Sequence, residues 1–166
     1  MFTALQQQLL AEAMFDGAPE FPEHFVPRPW AFTLSAFAGS IYSINSSSLA
    51  CYAAWQGRSK GQPYLVEVSR RLYVQALSEL QRAVRDGGIA LKDETFGACT
   101  ALMAYEALEC PDESKMAFNK HVEGCSRLVQ LRGAKMHQDG AAHELFRAFR
   151  YIEVCDHASK RQRTTR

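Results

Sequence analysis

The sequence predicts an all-α fold of about six helices, packed as stacked antiparallel hairpins. Three observations carry this. Apolar residues recur at i, i+3, i+4 and i+7 over the longest patterned stretch. No segment shows a strand-like alternation of period two, and Gly/Pro-rich turns separate the patterned segments. The length of 166 residues suits one domain able to bury a core, assigned here to 1–158, with a basic tail over 159–166.

Residues 4–15 place Leu5, Leu9 and Ala13 on one helical face, and "DGAPEFPEHFVPRPW" then brings four prolines into fifteen residues. Proline removes a donor and biases its predecessor away from helix, so 1–31 reads as a short helix followed by an extended loop. Phe21, Phe25 and Trp30 are too apolar for a free linker, which predicts that the loop is pinned across the body. From Phe32 to Gln56 the sequence reads as helix, with "NSSS" at 45–48 as a point where one piece ends and the next is capped. "GRSKGQP" turns the chain, and Pro63 suits the first position of the next helix.

That next helix has the clearest pattern: Leu65, Ser69, Leu72, Tyr73, Ala76, Leu77, Leu80, Ala83 and Val84 form a stripe, and "DGG" at 86–88 stops it. Asp93 is placed to cap a helix over 94–109 that is apolar nearly all round, which predicts a central, enclosed position. "CPDES" turns the chain, and Asp112 or Ser114 starts a helix striped by Phe118, Val122, Cys125, Leu128, Val129 and Leu131 and ended by Gly133. A last helix over about 140–158 turns Leu145, Phe149 and Ile152 inward.

Charge excludes some roles. The net charge is +1, with Lys160, Arg161, Arg163 and Arg166 in the tail, leaving 15 basic against 18 acidic residues over 1–156. No general basic field advertises nucleic-acid binding, and the tail reads as a solvated, frayed end. No apolar run reaches the roughly 20 residues of a membrane span, and the N-terminus does not read as a secretory signal. Five cysteines without a CxxC predict reduced, buried thiols and an intracellular setting, cytoplasm or nucleus.

Several stretches carry a family resemblance. "SLACYAAWQGRSKGQPYLVEVSRRLYVQALSELQRAV", "KDETFGACTALMAYEALE", "FNKHVEGCSRLVQLRG" and "ELFRAFRYIEV" follow one another over about 46–154. They resemble the helical regulatory domain of fungal zinc-cluster transcription factors. The matching features are the turn at Gly61–Pro63, Leu72-Tyr73, Asp93-Glu94, Tyr105-Glu106, His121 with Gly124, and Leu131-Arg132-Gly133. The family's six-cysteine zinc cluster has no counterpart here, so the resemblance is to a stand-alone, shortened relative. It implies sensing or protein association, with fungal secondary metabolism as a setting by analogy, and does not imply DNA reading.

The residues themselves leave two function classes open. Glu106 lies on the most apolar helix, and His121 lies on the inward stripe of the next, so a hairpin through "CPDES" is expected to bring them together inside the protein. In one reading they satisfy each other within a scaffold, and the domain is a non-enzymatic module. In the other, Glu106 and His121 are a general acid/base pair of a cofactor-independent cyclase or isomerase acting on a hydrophobic metabolite. For either, Tyr52, Trp55, Tyr73, Met103, Tyr105 and Cys125 are candidate ligand-binding residues, as apolar walls with a few polar tips. Glu106 and Glu109 at i+3, with His121 and Cys125 at i+4, share helix faces. The repeated Glu-x-x-His of helical metal sites is missing, so no metal and no cofactor are expected. The expected partner is a small hydrophobic molecule or a protein, a homodimer being compatible with both; neither DNA nor a membrane is expected.

Overall fold

The computed structural model describes residues 42–109 and 116–164, without the side chains of 42–44, 152 and 155–164. The expected helix at 4–15, the proline-rich loop, the segment 32–41 and the helix start at Asp112 or Ser114 lie outside the described residues. Among those described, the chain forms five α-helices and no strand. These are α1 (Tyr42–Ser59), α2 (Pro63–Arg85), α3 (Asp93–Glu109), α4 (Met116–Arg132) and α5 (Gly140–Thr164), with a 3-10 turn at Ala134–His137 before the last.

Helices α1 and α2 form a tight hairpin. Gly61 turns the chain at φ +62°, Gln62 N–H donates to Gly57 C=O at 2.8 Å, and Pro63 opens α2. Gly57 lets the helices close: a Cβ there would lie 2.7 Å from Val66 Cγ2 and 2.9 Å from the Val66 backbone nitrogen. Helix α2 buries Leu65, Ser69, Leu72, Ala76, Leu80 and Ala83. Each leucine contributes roughly 1.5–3 kcal/mol on burial, far more than the exposed Glu67–Arg71 pair outside it.

Helix α3 is the enclosed element the sequence predicts, buried from Thr95 through Glu106. It packs against α1, α2, α4 and α5. Helix α4 runs back along it, burying Phe118, Cys125, Leu128 and Arg132 on one face. Gly133, at φ +74°, ends α4 as expected.

The structure corrects four local expectations. Helix α1 runs unbroken through Asn45–Ser48, because Asn45, Ser46 and Ser47 are buried inside the fold rather than capping a break. Val84 and Leu131, assigned to inner stripes, are 49% and 56% exposed, because at these helix ends the adjacent Ala83 and Arg132 take the inward positions. Asp93 begins α3 and directs its carboxylate to Arg132, where only a capping role was expected. Helix α5 extends to Thr164, through a basic segment of good helix formers that read as a frayed tail.

Candidate functional site

Where α2 crosses α3, two rings and a carboxylate form one network. Tyr73 and Tyr105 stack at 4.6 Å between centroids, with 15° between planes. The Tyr73 hydroxyl donates to Glu106 Oε1, a carboxylate on a residue only 4% exposed. The Tyr105 hydroxyl lies 3.3 Å from Ser69 Oγ, which itself donates to the Val66 carbonyl at 2.7 Å. Burial pushes the Tyr105 phenol up to about 12, so it stays protonated. One turn on, Glu109 accepts from Arg58 Nε at 2.9 Å and Nη2 at 3.1 Å, tying the C-terminal ends of α1 and α3.

Tyr52 and Trp55 lie on α1, with centroids 6.2 Å apart. The Tyr52 hydroxyl accepts from the buried Gln56 amide at 2.6 Å. Met103 is fully buried within α3. Of the sequence-derived candidates, Tyr73, Tyr105 and Glu106 are therefore gathered, while Tyr52 and Trp55 form a neighbouring pair.

His121 and Cys125 lie elsewhere, on the α3–α4 seam. The Cys99 thiol donates to the His121 carbonyl at 3.7 Å, and Cys125 Sγ is 3.8 Å from Thr100 Oγ1. Glu106 is seven residues from Cys99 along α3, about 10 Å by helical rise. In place of the expected meeting of Glu106 with His121, Glu106 accepts from Tyr73, and the His121 backbone carbonyl accepts from the Cys99 thiol.

A fourth cluster closes the far end of the α3–α4 hairpin. The Arg132 side chain is fully buried, bonds Asp93 through Nη2 and caps the Lys92 carbonyl at 3.4 Å. Its guanidinium lies 5.1 Å from the centroid of Phe96. His137 packs edge-on against Phe96 at 5.2 Å and beside Phe146 at the same distance.

Neither ring nitrogen of His137 makes a full hydrogen bond among the described residues. Burial, aided by the Arg132 charge, holds this imidazole below its ordinary value, against smaller opposing effects of the Ala142 backbone and Asp93. The unfolded chain thus binds the extra proton as pH falls through about 6.5. Stability drops from there down to the lower folded value and is unaffected above. The urea midpoint is expected to decline between pH 7 and pH 5, and His137→Phe to flatten part of that decline. An identical pH profile in the variant would exclude His137 as a source.

Comparison with known proteins decides what these clusters belong to. Residues 36–165 match the family described as the fungal specific transcription factor domain. The chain belongs to this family. It is also 32% identical over 127 residues to a protein of Emericella nidulans described only as uncharacterized. That match covers 75% of this chain and 27% of the relative, so the chain spans about a quarter of the relative's length. No solved structure matches the chain.

The fungal transcription factor domain explains why the matching features are spaced as they are. Leu72-Tyr73 meets Tyr105-Glu106 through the Tyr73–Glu106 bond and the ring stack. Asp93 meets Arg132. Gly124 lies against Cys99, where an added Cβ would be 3.4 Å from Sγ. Short features far apart in sequence are thus the two halves of helix–helix contacts. Sequence reasoning missed Ser69, Cys99 and His137 as participants. For Cys99 the available signal was a second thiol opposite Cys125 in the expected hairpin. For Ser69 and His137 there was none beyond a polar residue beside apolar ones.

Proposed function

We propose that the domain is a non-enzymatic regulatory module that binds a small hydrophobic effector, or a partner protein, through its half-buried aromatic groups. The half-buried rings are Trp55, beside the buried Tyr52, and Tyr73, stacked on the buried Tyr105. The carrying observation is the Tyr73–Tyr105–Glu106 network. Its reactive tips are engaged across helices, while the Tyr73 ring remains partly open to solvent. Such a surface offers ring area for apolar contact, and its carboxylate, Glu106, is engaged by Tyr73. Family membership supports a regulatory setting, and analogy within the family suggests secondary metabolism. A cyclase or isomerase would need Glu106 and His121 to share one substrate, and the engagement of Glu106 by Tyr73 lends that reading no support.

The test is a fluorescence titration of the full chain with 1-anilinonaphthalene-8-sulfonate, an apolar anionic probe. Saturable binding near one per chain is expected, weakened about fivefold or more by Trp55→Ala at unchanged helical circular dichroism. Non-saturating binding, or equal affinity in the variant, would count against an effector site at Trp55. Metabolite turnover abolished by His121→Ala with the melting temperature preserved would overturn the non-enzymatic reading.

A further inference from the structure

The outward face of α2 is a charged surface that the regulatory reading does not use. From Tyr64 the exposed residues Glu67, Arg71, Val74, Ser78, Arg82 and Arg85 follow at steps of three or four, so they lie along one side of the helix. Tyr73 and the buried leucines lie elsewhere round it, which keeps this face apart from the aromatic network. Tyr64 and Val74 are 59% and 64% exposed, apolar groups left open on an otherwise polar side.

Charge on α2 is unbalanced. Four exposed arginines, Arg70, Arg71, Arg82 and Arg85, stand against one exposed carboxylate, Glu67. Glu67 is shared, lying 3.8 Å from Arg70 and 3.3 Å from Arg71. The other carboxylate of the helix, Glu79, is half-buried and accepts from Gln75 at 2.8 Å. Arg82 donates to the Ser78 carbonyl at 3.4 Å, and among the described residues no carboxylate pairs with Arg82 or Arg85.

The complementary chemistry is in the same chain. Residues 1–27 hold Glu12, Asp16, Glu20 and Glu23 and no lysine or arginine, with Phe15, Phe21 and Phe25 among them.

We propose that residues 12–25 dock on the outward face of α2, with carboxylates against Arg71, Arg82 and Arg85 and phenylalanine rings against Tyr64 and Val74.

Spacing and reach both fit. Pro19 and Pro22 favour extended backbone between Asp16 and Glu23, a stretch that covers about 22 Å when extended. Arg71 to Arg85 is a helical rise of about 21 Å. Helices α1 and α2 run as a hairpin, and the 18 residues of α1 bring Tyr42 about level with Leu80. From there residues 28–41 span up to about 45 Å, more than the roughly 35 Å of α2. The acidic stretch therefore reaches the whole face.

The same charges argue for this occupant over others. A second copy of the face would set arginines against arginines, which disfavours self-docking. A separate acidic protein would compete with a segment tethered in cis, whose effective concentration is on the order of millimolar. The pairs are solvent-exposed, so docking weakens with salt. None of this depends on effector binding at Trp55 or Tyr73.

The test replaces Val74 by p-benzoylphenylalanine in the full chain, followed by irradiation and peptide mapping by mass spectrometry. The expected product keeps monomer mobility and links position 74 to residues 12–25. Its yield is expected to fall about fivefold or more in roughly 0.5 M sodium chloride, a comparison that needs no further variant. Arg71→Glu with Arg82→Glu is expected to lower the yield similarly at unchanged helical circular dichroism, and added Glu20→Arg with Glu23→Arg to restore part of it. No link to residues 12–25, links only to a second chain, or a yield indifferent to both salt and charge reversal would overturn the proposal.

Discussion

Asp93→Ala is expected to destabilise the domain by about 3 kcal/mol or more, whereas Arg132→Met costs less. The asymmetry follows from burial. The Arg132 side chain is fully enclosed, while Asp93 is 36% exposed. Removing the carboxylate leaves a guanidinium without a counter-charge, its Nε already lacking a partner. Its remaining contacts are the Lys92 and Met136 carbonyls and the Phe96 face. Those neutral dipoles only partly offset the lost charge. Removing the guanidinium instead returns Asp93 to water and puts a similar apolar volume over Phe96. For a chain of this size the Asp93→Ala loss corresponds to a fall in melting temperature of roughly 10 °C. Thermal and urea unfolding of both variants measure the order. Equal or reversed costs would mean that the ion pair does not hold the α3–α4 hairpin.

Tyr73→Phe is expected to cost about 2–3 kcal/mol, because it strips the hydroxyl donor from the carboxylate of Glu106 and leaves that group buried. Tyr105→Phe removes a longer, neutral contact to Ser69, and Ser69 keeps its bond to the Val66 carbonyl. That substitution is expected to cost about 1 kcal/mol. Both variants retain the ring stack, so the comparison isolates the two hydroxyls. Guanidinium midpoints read it directly, and a Tyr105→Phe loss as large as that of Tyr73→Phe would show that the Glu106 contact is not the stronger.

The helices were legible wherever the sequence repeats a physical demand many times. Helix α2 states its inner face in successive turns from Leu65 to Ala83, and α3 states enclosure by having almost no polar side. Asn45–Ser48 misleads because Ser and Asn signal a helix start only when water or loop surrounds them. In this fold they are buried, and α1 continues. The pairing of Glu106 was illegible for a different reason. A turn at "CPDES" makes α4 the obvious neighbour, yet the donor comes from Tyr73, 33 residues earlier on α2. Periodicity tells which residues face inward and not which of several enclosing helices each one meets. Cys125 reads as a candidate ligand-binding residue because it lies on an inward stripe, and the structure places it on the α3–α4 seam against Thr100.

The enclosure of α3 bears on how a signal could travel. From Thr95 to Glu106 every residue of this helix is buried. It meets α1 through the Cys51–Ala101 contact, α2 through Glu106, and α4 through Asp93 and Cys99. Among the described residues α3 packs against α1, α2, α4 and α5, so a shift of α1 or α2 bears on α4 through it.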